Sequence, residues 1–201
     1  MRAFTCLAAL ALVACSQQPD EAAPADEASV PATPERSATL PPDAQPGEKA
    51  SAAPVLALDG EGLRLVDAKG ATKLVAFGSD AATAEGLLPK VGERMTNEEC
   101  GAGPMQFARD GGLTLNFQDG KFVGWYLEEG SDLTTMDGIG LGSTRAGIEQ
   151  TRTLEMLEGS TLGDEFALGT LEDAEIFGFL DGTGTSAKVT ALYAGTNCFF
   201  R

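Results

Sequence analysis

Leu113-Thr-Leu-Asn-Phe-Gln-Asp-Gly-Lys-Phe-Val-Gly-Trp-Tyr126 is the stretch from which the fold can be predicted. Two runs rich in aliphatic and aromatic residues flank Asp119-Gly120, and Asp-Gly is a strong signal for a two-residue hairpin turn. The stretch therefore predicts an antiparallel β-hairpin with an antiparallel sheet around it. With this turn, the predicted opposite pairs are Phe117 with Phe122, Leu115 with Gly124 and Leu113 with Tyr126.

The predicted hairpin has one apolar face and one mostly polar face, because successive side chains of a strand point to opposite sides. The polar face carries the only tryptophan, Trp125, with Val123 and Leu127 on either side. Large aromatic side chains dominate binding hot spots, so these three residues are the candidate partner-binding residues. The alternative is that Trp125 is covered by a helix or by the other half of the domain. The predicted core face consists of Leu113, Leu115, Phe117, Phe122 and Tyr126.

Strand and helix patterns continue on both sides of the hairpin. Runs of apolar or alternating residues bounded by turn residues predict strands over 55–59, 62–66, 73–77, 162–168, 174–180 and 188–194. One helix is predicted over 81–88, and a second over 144–157 with Ile148, Leu154 and Leu157 on a buried stripe. Segment 91–104 is predicted to be a loop. The fold class is therefore α+β, a mainly antiparallel sheet with short helices.

Two sequence patterns occur twice along the chain in the same order. Residues 77–85 and 141–149 share the pattern apolar-Gly-Ser-x-x-Ala-x-x-Glu, at an offset of 64 residues. Residues 115–120 and 177–182 share apolar-x-Phe-x-Asp-Gly, at an offset of 62 residues. This concordance indicates two tandem related halves, 54–130 and 131–201, and the alternative is a coincidence of two ordinary helix caps and two ordinary turns.

The N-terminal part of the chain has a different composition. Residues 16–53 contain seven prolines among Ala, Glu, Asp and Ser, and no aromatic residue. Such a segment cannot bury enough apolar surface to offset the entropy lost on ordering. We therefore expect residues 15–53 to form a disordered linker and residues 54–201 to form the α+β domain.

A short apolar run follows Arg2 and ends at Leu12-Val13-Ala14-Cys15. It is too short to span a bilayer, which needs about 20 residues. This order of features resembles a bacterial lipoprotein signal, the alternative being a frayed apolar terminus. The resemblance implies that residues 1–14 are removed as a signal peptide and that Cys15 is acylated. Because Ser16 rather than aspartate follows, it also implies an anchor in the outer membrane that faces the periplasm.

The remaining cysteines follow from that resemblance. Cys6 leaves with the signal peptide and Cys15 carries the lipid, so Cys100 and Cys198 remain in an oxidising compartment where disulfides persist. We expect a Cys100–Cys198 disulfide. The alternative is two buried free thiols.

Charge and composition exclude several classes of function. The chain has a formal net charge of −16 and no histidine, and residues 54–201 alone carry about −12. Nucleic-acid binding is therefore excluded, as are Ser/His/Asp catalysis and histidine-ligated zinc. The glycines of 138–142 lack the GxGxxG spacing of dinucleotide-binding turns, so we predict no cofactor. The acidity favours solubility, or alternatively cationic partners.

Four pairs of adjacent carboxylates are the remaining candidates for chemistry. They could bind Ca²⁺ or act in glycoside hydrolysis, although none has EF-hand spacing. In a chain this acidic, such carboxylates are usually solvated. The pairs are Glu98-Glu99, Glu128-Glu129, Asp164-Glu165 and Glu172-Asp173.

The stretch Gly142-Ser143-Thr144, followed by Ile148-Glu149, resembles the repeat of the beta-lactamase inhibitor proteins and of the small lipoproteins of the outer-membrane assembly machinery. Gly78-Ser79-Asp80 with Glu85 matches it less closely. Those modules carry helical turns on a strand meander, and the inhibitors have two in tandem. The resemblance implies two helix-plus-meander halves.

The whole chain also resembles an uncharacterised group of bacterial lipoproteins, through stretches such as Glu99-Cys-Gly-Ala-Gly-Pro104 and the Cys198-Phe-Phe-Arg201 end. Some members of such groups carry a transferred dehydrogenase name. That chemistry needs a thiolate, a base and a dinucleotide fold. Cys100 has no histidine to serve as its base, so we predict that the protein is not an enzyme of this kind.

These expectations combine into a non-enzymatic function. We expect a membrane-anchored periplasmic lipoprotein that binds an envelope protein or helps to maintain the envelope. One alternative is an inhibitor-like protein that binds a periplasmic hydrolase, and another is a small carboxylate-dependent hydrolase. A groove with converging carboxylates would favour the hydrolase, whereas a sheet face with exposed aromatic side chains would favour the binding protein.

Overall fold

Strands and two short helices make up residues 53–199, the part of the chain that the computed structural model describes. These residues belong to one compact unit. The predicted signal peptide, Cys15 and the linker up to residue 52 lie outside the described residues. No helix within residues 53–199 has the length and apolar character needed to cross a membrane.

Two antiparallel sheets and two helices form the domain. The first sheet contains three strands in sequence order, namely β1 (Val55–Asp59), β2 (Gly62–Val66) and β3 (Thr72–Ala76). The second sheet contains eight strands, namely β4 (Met95–Asn97), β5 (Met105–Asp110), β6 (Leu113–Gln118), β7 (Lys121–Leu127), β8 (Leu154–Met156), β9 (Asp164–Leu168), β10 (Ile176–Leu180) and β11 (Val189–Gly195). The helices are α1 (Ala81–Glu85) and α2 (Arg145–Glu149). The predicted class, a mainly antiparallel sheet with short helices, is confirmed.

The strand order of the large sheet divides it into two halves of one topology. The order is β4-β5-β6-β7-β11-β10-β9-β8, and every neighbouring pair is antiparallel. Each half consists of one helix followed by a four-stranded meander. The last strands of the two halves, β7 and β11, pair at the centre of the sheet. The sheet formed by β1, β2 and β3 lies within the predicted first half, 54–130, but it precedes the helix and meander of that half and has no counterpart in the second.

The Gly-Ser stretches before the two helices make the same main-chain contacts. The N–H of Gly78 donates to the carbonyl of Phe122 at 2.7 Å, and the N–H of Gly142 donates to the carbonyl of Val189 at 2.9 Å. The N–H groups of Phe122 and Val189 donate in return to the serine that follows each glycine, at 2.8 Å and 2.9 Å. Each helix start is thereby fastened to the last strand of its own half.

The central hairpin forms as predicted at its turn. Asp119 and Gly120 have φ of 49° and 74°, two consecutive positive values as in a type I′ turn, and Phe117 pairs with Phe122. Beyond this pair the predicted register is wrong, because Val123 forms a β-bulge that moves each later residue of β7 by one place. The observed pairs are Asn116 with Gly124, Leu115 with Trp125, Thr114 with Tyr126 and Leu113 with Leu127.

The bulge reverses the predicted faces of β7. Trp125 and Leu127 are fully buried, whereas Tyr126 is only half-buried. The indole N–H of Trp125 donates to the carbonyl of Asp59 in β1 at 2.9 Å. Val123 is half-buried. The expectation that Trp125 and Leu127 belong to an exposed partner surface is therefore wrong. Trp125 is covered, as the alternative has it, but its hydrogen-bond partner lies in β1 rather than in a helix or in the second half.

The second half has a bulge at the equivalent place, Thr190. The pairs on its two sides are Phe179 with Ala191 and Leu180 with Val189. Leu180 therefore takes the place of Phe117, and the match of residues 115–120 with 177–182 is displaced by one residue. As a consequence Phe179 points away from the core. Its sequence match with the buried Phe117 predicts the opposite orientation.

Both helices are shorter than predicted. The first ends at Glu85, where Gly86 is the C-cap, and the second ends at Glu149. Leu154, expected on the second helix, lies in β8 and pairs with Leu168. The β-branched residues around 151–153 favour an extended chain, and the edge of β9 provides a pairing partner. The expected loop over 91–104 contains β4, and β5 had no predicted counterpart.

The core lies between one face of the large sheet and a layer formed by the helices and the small sheet. Ala84 of α1 and Ile148 of α2, 64 positions apart in the sequence, are both buried there. The small sheet contributes Leu58 and Leu63. The main core cluster includes Leu115, Phe117, Phe122, Trp125, Phe166 and Leu192 from the large sheet.

The join between β7 and β11 requires glycine on both strands. Gly124 pairs with Gly195, and a Cβ on Gly124 would lie 2.2 Å from the carbonyl oxygen of Thr196. Gly195 has φ of +67°, and a Cβ there would lie 2.4 Å from the carbonyl oxygen of Val123. Both obstacles are backbone atoms, which cannot rotate away. The two halves can therefore approach this closely only with glycine at these positions.

Gly124→Ala should destabilise the domain, because the added Cβ would force β7 and β11 apart. Overpacking against backbone typically costs about 1–3 kcal/mol, so we expect the free energy of unfolding in urea to fall by about 3 kcal/mol. Gly182→Ala is the matched control, because a Cβ at Gly182 meets nothing within 4 Å. The control should be neutral or stabilise by up to about 1 kcal/mol. Equal stability of the two variants would contradict the importance of the close approach.

Candidate functional site

The large sheet has a second side, the open face, that points away from the core. In β10 the residues Ile176, Gly178 and Leu180 are buried, whereas Phe177 and Phe179 between them are only half-buried. Tyr193 of β11 pairs with Tyr126 of β7 on the same side of the sheet. Since side chains alternate along a strand, both β10 phenylalanines lie on the open face.

Five aromatic side chains form a connected group on the open face, the aromatic cluster, which consists of Tyr126, Phe177, Phe179, Tyr193 and Phe199. Tyr193 stacks on Phe177 and Phe179, with ring centroids 5.6 Å and 5.8 Å apart. Phe199 meets Tyr193, Tyr126 and Phe179 edge-on at 4.8 Å, 5.9 Å and 6.1 Å. Tyr126 belongs to the first half and the other four rings to the second, so the cluster crosses the central join.

A buried carboxyl group lies beneath the aromatic cluster. Glu165 of β9 has no exposed surface and pairs with Phe179 in the sheet register. The hydroxyl of Tyr193 donates a hydrogen bond to its Oε1, and the hydroxyl of Ser160 donates to its Oε2 at 2.5 Å. Glu165 therefore fixes the central ring of the cluster and the loop that precedes β9. A carboxyl group without exposure is tolerated here because its oxygens are hydrogen-bonded.

Two grooves lie side by side on the open face, with Tyr126 and Phe199 forming the wall between them. The first, the amide groove, has a volume of about 380 Å³ and is bounded by the amides of Asn97, Asn116 and Asn197. Arg109 is the only charged side chain among the described residues that line it. Further apolar walls are provided by Met95 and Phe107.

The second, the acidic groove, has a volume of about 730 Å³. Its charged lining residues are Glu128, Glu129 and Asp164, and no Lys or Arg of residues 53–199 lines it. Burial raises the pKa of the Tyr126 hydroxyl in its wall, and the negative charge of Glu128 raises this pKa further. Glu128 therefore lies close enough to the aromatic wall to act on it electrostatically.

The predicted Cys100–Cys198 disulfide is wrong, because both residues are free cysteines in the structure. Cys100 is buried, and Cys198 is half-buried in the wall of the amide groove. The Cys198 sulfur accepts a hydrogen bond from the amide of Asn97 at 3.5 Å. Burial, together with a hydrogen bond to the Cys100 thiol, raises the pKa of Cys198 to about 11. Of the alternative, two buried free thiols, the structure supports the free thiols, but only Cys100 is buried.

The structure brings together two of the four carboxylate pairs. Glu128, Glu129 and Asp164 line the acidic groove, and Glu165 is buried beneath the neighbouring aromatic cluster. The pairs at 98–99 and 172–173 are not among the residues that line it. Within residues 53–199, no group of three or more metal-ligating side chains is arranged to hold a metal ion.

The aromatic cluster was missed by the sequence analysis. The alternation in Ile176-Phe-Gly-Phe-Leu180 is the signal that could have found Phe177 and Phe179, because one phase of that strand must face outward. Tyr126 was placed in the core by the unbulged register. Comparison with protein-family models, with curated proteins and with solved structures found no match.

Glu165→Ala should destabilise the domain more than Glu165→Gln. Alanine leaves the buried hydroxyl of Tyr193 without this acceptor, at about 1–3 kcal/mol, and removes the bond from the half-buried hydroxyl of Ser160. We expect a loss of about 3 kcal/mol in urea unfolding for alanine and less than half of that for glutamine. Asp164→Asn, next in sequence but only half-buried, should change stability by at most about 0.5 kcal/mol. If alanine and glutamine were equally destabilising, the hydrogen bonds would not be the cause.

Proposed function

We propose that the protein is a membrane-anchored periplasmic lipoprotein that binds an envelope protein, without catalysis, through the open face. The aromatic cluster is the observation that carries this proposal. Large aromatic side chains dominate interface energetics, because they bury much area while losing few rotamers. Four of the five rings are half-buried rather than sealed in the core, so a partner could cover them.

The position of the cluster also supports a binding role. It crosses the central join, and it is held from below by Glu165, which fixes Tyr193. A rigid group of rings loses little entropy when a partner binds. The surrounding grooves provide charged and amide groups at the rim, the usual arrangement of a protein interface.

The lipid anchor in this proposal rests on Cys15 and its flanking sequence. The two helix-plus-meander halves support the resemblance to the inhibitor and assembly-lipoprotein modules, because that resemblance implies such halves. A tandem duplication is the simplest origin for two halves that share their topology, their Gly-Ser contacts and their bulges. An inhibitor-like protein that binds a periplasmic hydrolase is the second candidate, and it would use the same aromatic cluster.

A carboxylate-dependent hydrolase is favoured only by the convergence of Glu128, Glu129 and Asp164 on one groove. Glu165, the fourth carboxyl of these pairs, already accepts hydrogen bonds at both oxygens. It therefore acts in the support of Tyr193 and not as a solvent-facing acid or base. A binding function thus explains the aromatic cluster and its support by Glu165, whereas a hydrolase function explains only the three carboxylates of the groove.

The anchor predicts the distribution of the protein between membrane and soluble fractions. The native chain, expressed in a double-membrane bacterium, should sediment with outer membranes and incorporate labelled palmitate. Cys15→Ser should remove both properties, because the acylated thiol is lost. Cys198→Ser is the matched control and should keep both. Palmitate labelling of Cys15→Ser at the native level would contradict the anchor.

If the open face binds an envelope protein, affinity capture from detergent-solubilised envelopes should depend on the aromatic cluster. The native protein should recover one envelope protein, and a Tyr126→Ala, Phe179→Ala double variant should lose it because the hot spot is removed. Met136→Ala, which removes a 54% exposed apolar side chain elsewhere, should recover the same protein. Circular dichroism would verify that all three are folded. Recovery by the double variant at the native level would exclude the aromatic cluster as the interface.

A further inference from the structure

We propose that the acidic groove receives a Lys or Arg side chain from an extended polypeptide segment of the partner. This inference rests on the proposed function, because it assumes that a partner docks on the open face. It goes further in assigning the chemistry of the segment and its direction across the two grooves. Four observations support it. The carboxylates of the acidic groove form no ion pair among the described residues, and aromatic side chains border that groove. The amide groove has the opposite charge, and the domain as a whole is strongly negative.

The three carboxylates of the acidic groove form no ion pair with a basic residue of the described range, 53–199. Five ion pairs occur among residues 53–199, and none of them includes Glu128, Glu129 or Asp164. The basic residues that form ion pairs all lie outside the groove lining. All three carboxylates line the same groove, so a cation placed in it would be attracted by each of them.

The walls of the acidic groove suit the body of a basic side chain. Tyr126, Phe179 and Phe199 border it, and a Lys or Arg head is attracted to an aromatic ring face within about 6 Å. The aliphatic stem of such a side chain can pack on apolar surface while its head stays near carboxylates and water. A bare metal ion would use the carboxylates alone, whereas a basic side chain uses both the carboxylates and the rings.

The amide groove on the other side of Phe199 has the opposite character. The described residues that line it include Arg109 and no carboxylate, so a second basic side chain is disfavoured there. Met95 and Phe107 instead offer apolar contact. A segment that crosses the shared wall is thereby oriented, with its basic residue in the acidic groove and an apolar residue in the amide groove.

The net charge of the domain acts in the same direction. Residues 54–201 carry a formal charge of about −12, which raises the local concentration of cationic segments and speeds their encounter. This field is general, however, and would attract any cation to any part of the surface. The test must therefore separate the three groove carboxylates from the overall charge.

The probe is an acetylated, amidated peptide of alternating tryptophan and lysine, six residues long, titrated into the full-length lipoprotein in nonionic detergent by isothermal calorimetry. We expect saturable one-to-one binding that weakens as salt rises from about 50 mM to about 500 mM. The same peptide with glutamate in place of lysine should show no saturable binding. Equal binding of the two peptides, or failure of the lysine peptide to saturate, would overturn the inference.

The decisive variant removes the negative charges of the acidic groove while keeping the size and shape of its side chains. Glu128→Gln, Glu129→Gln and Asp164→Asn together should weaken binding of the lysine peptide about tenfold, or about 1.4 kcal/mol, since each exposed charge contributes modestly and three are removed together. The folded state is verified by circular dichroism. An unchanged affinity would overturn the proposed site.

The control triple variant, Glu93→Gln, Glu98→Gln and Glu172→Gln, neutralises three exposed carboxylates away from the groove. It should bind the lysine peptide within about twofold of the native protein, because none of the three carboxylates lines the acidic groove and salt screens exposed charges that lie away from the peptide. A loss equal to that of the groove variant would show that the overall charge, and not the groove, attracts the peptide. That result would overturn the site.

Envelope capture separates failure of this inference from failure of the proposed function. If the Tyr126→Ala, Phe179→Ala variant loses the partner but the groove triple variant retains it fully, the binding role stands and the basic segment is excluded. If neither variant loses the partner, the open face is not the interface and both proposals fail. We expect both variants to recover less of the partner than the native protein does.

Discussion

The antiparallel pairing of β7 with β11 is the contact on which the rest of the structure depends. It converts two four-stranded meanders into one eight-stranded sheet, and it removes the edge that the last strand of each meander would otherwise expose. Two constraints make it possible, namely glycine at Gly124 and Gly195 and a bulge before each paired segment. The aromatic cluster lies across this pairing, so the same contact that unites the fold also assembles the candidate binding surface.

The bulges decide which side chains are structural and which are available to a partner. In β7 the extra residue Val123 turns Trp125 inward, to the carbonyl of Asp59, and leaves Tyr126 outward. In β11 the extra residue Thr190 lies opposite the junction of Phe179 and Leu180, and Phe179 points to the open face. One additional residue in each strand therefore moves the tryptophan into the core and places smaller rings on the open face. Bulges commonly redirect side chains beside functional sites, and here they do so twice in equivalent places.

The features that could be predicted from sequence are those encoded by local chemistry. Asp119-Gly120 predicted its turn correctly, because few residue pairs adopt two positive φ values, and most strands were found from their alternation. The bulge at Val123 has no local signature, so the faces of β7 were assigned in reverse. The second helix was extended too far because the pairing of Leu154 with Leu168 is a long-range contact. The aromatic cluster is formed by residues from three separated segments, and only the sheet order brings them together.

The symmetry of the central pair has a consequence for how such a protein could arise. Tyr126 pairs with Tyr193, and each occupies the same place in its own half, so an approximate twofold axis passes between them. A free-standing ancestral repeat could have buried its last strand against that of an identical copy, as a homodimer with one tyrosine from each subunit at the axis. Gene fusion would then have made the association permanent. The residues on the two sides of the tyrosine pair could then change independently. One side now carries the amides and arginine of the amide groove, and the other carries the carboxylates of the acidic groove.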